Sequence, residues 1–100
     1  MRVLVGKDED IREGRLKAVV ADGRKFVVGR NEGRLFAMDG QCSHFGFDLS
    51  YGTVRDGLIV CPAHGASFDV TDGRKVTHSG AKDLRVYIVY AEGDDVYMEI

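Results

Sequence analysis

Two short stretches, Cys42-Ser43-His44-Phe45-Gly46 and Cys61-Pro62-Ala63-His64-Gly65, hold both cysteines of the chain and two of its three histidines. Each offers one thiolate and one imidazole, spaced C-x-H in the first and C-x-x-H in the second, with a glycine beyond the histidine. Soft and borderline donors gathered as two matched pairs point to a transition-metal site. Zinc is one candidate, since closed Cys2His2 sites are common. The usual zinc-finger order, however, places two cysteines first and two histidines on a later helix. Here each stretch mixes the donor types and neither reads as a helix. A mixed order suits a pair of irons, one taking both thiolates and the other both imidazoles. Two unrelated buried thiols would explain the cysteines, but not the matched spacing or the glycines.

The remainder of the chain is punctuated as a β protein. Arg2 to Val5 reads as a first strand, and the charged run from Lys7 to Gly14 as a turn. Arg15 to Ala21 and Lys25 to Arg30 flank Asp22-Gly23, a two-residue hairpin signal. Asn31-Glu32-Gly33 then turns the chain into Arg34 to Met38. In the return strand Phe26 and Val28 alternate with Lys25, Val27 and Gly29, the pattern of a partly buried strand. Asp39-Gly40 ends this sheet and leads into the first cysteine stretch. Thr53-Val54-Arg55 and Leu58-Ile59-Val60 flank a further hairpin signal at Asp56-Gly57. That small hairpin sends the chain out and back, which sets the two cysteine stretches side by side. After a turn at Asp72-Gly73, residues 74 to 83 read as a loop. Leu84 to Ala91 and Asp95 to Ile100 pair around Gly93-Asp94, with Val86, Ile88 and Tyr90 on one face. Antiparallel hairpins joined by tight turns specify a small all-β domain. One hundred residues make one domain, residues 1–100, that can bury about two-thirds of its unfolded surface.

Composition narrows the function classes. A net charge of −2 gives no basic footprint for nucleic acid or an anionic membrane. No apolar run is long enough for a membrane span or a signal peptide, so no membrane association is expected. With both cysteines wanted as ligands, none is left for a disulfide, and the expected compartment is the cytoplasm. No nucleophile box, phosphate loop or facial triad for mononuclear iron is present, so the chain is not expected to be an enzyme.

Cys42-x-His44-x-Gly46-x-x-Leu49 followed by Cys61-Pro62-x-His64-Gly65-x-x-Phe68-Asp69 resembles the two ligand boxes of the Rieske [2Fe–2S] family. Sixteen residues separate His44 from Cys61, as in small Rieske ferredoxins, and the likeness covers nearly the whole chain. The resemblance implies Cys42 and Cys61 on one iron and His44 and His64 on the other, with the histidines nearest solvent. It also implies the architecture, a small antiparallel barrel or sandwich with residues of about 40–81 inserted as a cluster-binding lobe. Small Rieske proteins carry proline in a third loop covering the cluster; here that stretch is His78-Ser79-Gly80-Ala81, and the only proline is Pro62. With four ligands supplied, His78 is expected to be a surface residue. Phe45, Phe47 and Ala63 form a candidate apolar contact for partners, although both phenylalanines could instead pack beneath the cluster.

What a cluster of this kind does follows from its charge. With both irons ferric, two thiolates and neutral imidazoles leave the oxidised cluster uncharged, whereas four thiolates leave it doubly negative. The added electron is therefore easier to accept, with potentials of about −150 to +300 mV against roughly −400 mV for plant-type ferredoxins. The implied function is one-electron transfer by a soluble, monomeric carrier between a reductase and an oxygenase or similar enzyme. A small regulatory or structural subunit of an oxidoreductase is the alternative, and a zinc-binding interaction module a further one. High-potential respiratory relatives carry a serine just after the second glycine, a tyrosine at the aromatic position and an extra cysteine in each box. Ala66 and Phe68 stand at those two positions here, and no spare cysteine exists, which implies a potential towards the low end of the range.

Overall fold

The computed structural model describes residues 1–42, 46–62, 65–77 and 82–100. Among these the chain forms ten strands in three antiparallel sheets. Strands β1 (Arg2–Lys7), β9 (Ile88–Glu92) and β10 (Asp95–Glu99) make one sheet in the order β1-β10-β9. The second is the meander of β2 (Leu16–Ala21), β3 (Arg24–Asn31) and β4 (Arg34–Asp39). The third runs in chain order through β5 (Thr53–Arg55), β6 (Leu58–Val60), β7 (Ser67–Asp69) and β8 (Lys75–Thr77). No helix among the described residues is long and apolar enough to cross a membrane.

Turn chemistry sets the registers. Asp22-Gly23 and Asp56-Gly57 both have positive φ at each residue, the backbone that fits the right-handed twist of two adjoining strands. They place Ala21 opposite Arg24 and Arg55 opposite Leu58. The β3–β4 turn uses Glu32, also at positive φ, and is held from outside the hairpin. The Glu13 carboxylate accepts the backbone N–H of Glu32 at 2.6 Å and of Gly33 at 2.8 Å. Arg30 reinforces this corner by donating to the Ile11 carbonyl at 2.9 Å and pairing with Asp8 at 2.6 Å.

Strand β3 is partly buried, as expected, but through its middle the burial takes in both faces. Phe26 and Val28 enter a core with Val5, Ile11, Val19, Ala37, Val96 and Met98. Val27 enters a second core with Phe36, Met38, Leu49, Ile59, Phe68, Val70 and Leu84. All three β3 side chains are essentially inaccessible to water. The physical reason is that the β5–β8 sheet covers the face that sequence alternation would assign to solvent.

Two further expectations are corrected. Residues 74 to 83 are not all loop, because Lys75–Thr77 pairs with β7. Three residues with an exposed valine in the middle carry no periodic signal, so only the Asp72-Gly73 turn could have announced this strand. Nor is Leu84 to Ala91 one strand, since β9 begins at Ile88. The preceding residues form a strap along β4: Asp39 N–H donates to the Arg85 carbonyl and Tyr87 N–H to the Ala37 carbonyl, around a single Met38–Val86 bridge. Val86 and Ile88 are exposed, while Tyr87 and Val89 pack against the core.

Candidate metal centre

Both cysteines lie at the bottom of loops built to one plan. Cys42 N–H donates to the Phe47 carbonyl at 2.7 Å, and Gly46 N–H donates back to the Cys42 carbonyl at 2.7 Å. In the other loop Cys61 N–H donates to the Ala66 carbonyl at 2.8 Å, and Gly65 N–H to the Cys61 carbonyl at 3.0 Å. One residue outside each pair, the chain continues as an antiparallel bridge, Gln41 opposite Asp48 and Val60 opposite Ser67. A cysteine thus opens each loop and a glycine follows four residues later, at φ 69° for Gly46 and 72° for Gly65. Among the described residues nothing lies within 4 Å of a Cβ built at either glycine, and the left-handed backbone is what favours glycine there. The two loops therefore match at their described ends, and in the sequence a histidine stands two residues after Cys42 and three after Cys61.

The thiols themselves are interior. Cys42 is 2% exposed and Cys61 1%, both in the core that contains Phe68, Ile59 and Leu49, and no disulfide joins them. Ala66 and Phe68 are fully buried beside them in the same core. Ser67 is also buried, and its hydroxyl donates to the Gly65 carbonyl at 3.3 Å. His44 and His64, the other two predicted ligands, lie outside the described residues, as do Phe45, Ala63 and His78. Phe47 is described and is 41% exposed beside the first loop, so it does not pack beneath the centre.

Each loop is followed by a carboxylate that ties down its exit. Asp48 accepts the Ser50 hydroxyl at 2.7 Å and the Ser50 N–H at 2.9 Å. Asp69 accepts the Thr71 hydroxyl at 2.5 Å and the Thr71 N–H at 2.8 Å. The Ser50 and Thr71 hydroxyl bonds are the largest reason that both carboxyls titrate below the ordinary aspartate range. Sequence reading passed over these pairs, although Asp-x-Ser and Asp-x-Thr are recognisable turn signals.

Two buried thiols in matching loops, with an imidazole in each intervening sequence, form a donor set suited to a cluster with two cysteine and two histidine ligands. A family model for the Rieske [2Fe-2S] domain matches residues 1–88. The chain belongs to the Rieske [2Fe–2S] family. Its cofactor is accordingly a [2Fe–2S] cluster, which supplies reversible one-electron chemistry when bound. Among its Rieske relatives is the ferredoxin component of biphenyl 2,3-dioxygenase from Rhodococcus jostii (strain RHA1), 35% identical over 91% of this chain and 85% of that protein. The solved ferredoxin of carbazole 1,9a-dioxygenase from Nocardioides aromaticivorans IC177 superposes with a TM-score of 0.91 at 26% identity, over 98% of this chain and 96% of that one. A solved complex of reduced oxygenase and oxidised ferredoxin in carbazole 1,9a-dioxygenase contains a chain that also matches at a TM-score of 0.91. It is 28% identical, over 97% of this chain and 91% of that one. The small all-β Rieske architecture expected from the sequence is thus borne out.

Proposed function

We propose that this protein is a cytoplasmic, monomeric Rieske ferredoxin that carries single electrons from a reductase to a ring-hydroxylating oxygenase, without catalysing a reaction itself. Cys42 and Cys61 hold one iron and His44 and His64 the other, within a cluster-binding lobe of about residues 40–81 in a single domain spanning 1–100. The observation that carries the reading is the pair of matched loops, each opening on a buried cysteine. Relatives named as ferredoxin components of dioxygenase systems support the carrier role, and the solved oxygenase–ferredoxin complex supports the acceptor class. The chain's own residues bury both cysteines and hold the backbone of each with a pair of hydrogen bonds at the mouth of its loop.

Metal and sulfide analysis of the purified protein tests this directly. About two irons and two acid-labile sulfides per chain are expected, with a Rieske electron paramagnetic resonance signal on reduction. Reconstitution with a dioxygenase reductase and its oxygenase should then restore substrate turnover that neither partner shows without the ferredoxin. One tightly held zinc in protein expressed with ample iron would refute the assignment.

A further inference from the structure

The first ligand loop has an anchor that neither the ligand boxes nor the family match assigns. Asp39 closes β4 three residues before Cys42 and lines the same cleft as that cysteine. Its carboxylate accepts the Tyr87 hydroxyl at 2.6 Å and the Arg85 backbone N–H at 3.2 Å. Arg24 donates to the Tyr87 hydroxyl at 2.5 Å and stands 3.9 Å from the carboxylate. The Tyr87 ring meets Phe26 of β3 edge-on, with centroids 5.0 Å apart, so the phenol is held against that strand. Burial, then the bond to Asp39, pushes its pKa up, and the hydroxyl remains a donor at neutral pH.

Between this joint and Cys42 the backbone has no slack. Gly40 N–H donates to the Lys25 carbonyl at 3.0 Å, and the Gly40 carbonyl accepts Leu49 N–H at 2.8 Å. A Cβ on Gly40 would come within 2.9 Å of the Phe26 backbone, so the segment lies directly on β3. The strap that carries Arg85 and Tyr87 is pinned at its other end to the β7–β8 turn, where Leu84 N–H donates to the Gly73 carbonyl at 2.8 Å. Even a methyl group at Gly73 would collide with the Leu84 carbonyl.

We infer that Asp39 is the positioning residue of the first ligand loop, through which the strap at residues 84–87 sets the placement of Cys42 relative to the second loop. This rests on the assignment of Cys42 as a ligand. Neither Asp39 nor Tyr87 touches the cluster; both act through the three residues that lead to it.

The test compares Tyr87→Phe and Asp39→Asn with the parent and with Tyr90→Phe, which removes a tyrosine–Glu99 hydrogen bond on the far sheet. Tyr87→Phe retains the ring against Phe26, so it isolates the clamp even where Asp39→Asn impairs folding. Both clamp variants are expected to shift the g-values of the reduced cluster, which report geometry around the irons and do not respond to a simple loss of stability. Iron loss to a chelator should quicken about tenfold in each, the factor matching ~1.4 kcal/mol. Tyr90→Phe should leave both readouts unchanged. A parent with the Rieske signal and clamp variants with identical g-values overturns the positioning role alone. A parent without that signal overturns the ligand assignment, and the clamp with it.

Discussion

A single hydroxyl placed at Ala66 offers a quantitative probe of the centre. Ala66 follows Gly65, is fully buried in the core shared with both cysteines, and accepts the Cys61 N–H at 2.8 Å. Ala66→Ser therefore adds a donor where water cannot satisfy it. Without the cluster, an unpaired buried hydroxyl costs ~1–3 kcal/mol, so the apoprotein should lose stability by about that amount. With the cluster, sulfur is available as an acceptor, and the bond strengthens when the extra electron arrives. A hydrogen bond to a charged group is worth ~1.5–3 kcal/mol, and 100 mV corresponds to ~2.3 kcal/mol for one electron. Only the part gained on reduction moves the midpoint, so a rise of tens of millivolts to about 100 mV is expected. Spectroelectrochemical titration of parent and variant, alongside denaturation of both apoproteins, reads the two effects, which are opposite in sign. An unchanged or lower midpoint in a variant that retains the parent spectrum would refute the reasoning, as would a parent midpoint well above zero at neutral pH.

Phe47 presents an apolar ring beside the first loop, so Phe47→Ser should keep the cluster spectrum while slowing electron transfer to the oxygenase; stopped-flow kinetics with equal spectra check this. Asp69 has a folded pKa below its unfolded value, chiefly through the Thr71 hydroxyl. Its stabilisation is therefore present above the unfolded value of about 3.9 and fades as pH falls towards the lower folded one. Thr71→Val should weaken the protein at neutral pH and narrow its difference from the parent below that point, as denaturant titrations across the acid range would show.

The parts that were legible in the sequence are those encoded locally. Asp22-Gly23 and Asp56-Gly57 announced two hairpins because two-residue turns demand particular backbone angles at adjacent positions. The cysteine loops were legible for the same reason: thiol, imidazole and glycine lie within five residues of one another. What sequence pattern missed depends on distant partners. Val27 looked like the solvent side of β3 because the sheet that covers it is contributed some thirty residues later. Asp39 read only as a strand end, since Tyr87, which gives it a role, is 48 residues away. Val86 continued the alternation of β9, yet the strap bends towards β4 before that strand begins.

The two-sided burial of β3 means that the molecule has a party wall. Phe26 and Val28 furnish one room and Val27 the other, so neither can be demolished without opening its neighbour to the weather. Excising the β5–β8 sheet would leave Val27, Phe36 and Met38 as a bare apolar surface on what remained. The six-strand remnant would then be prone to association rather than persisting as a soluble miniature.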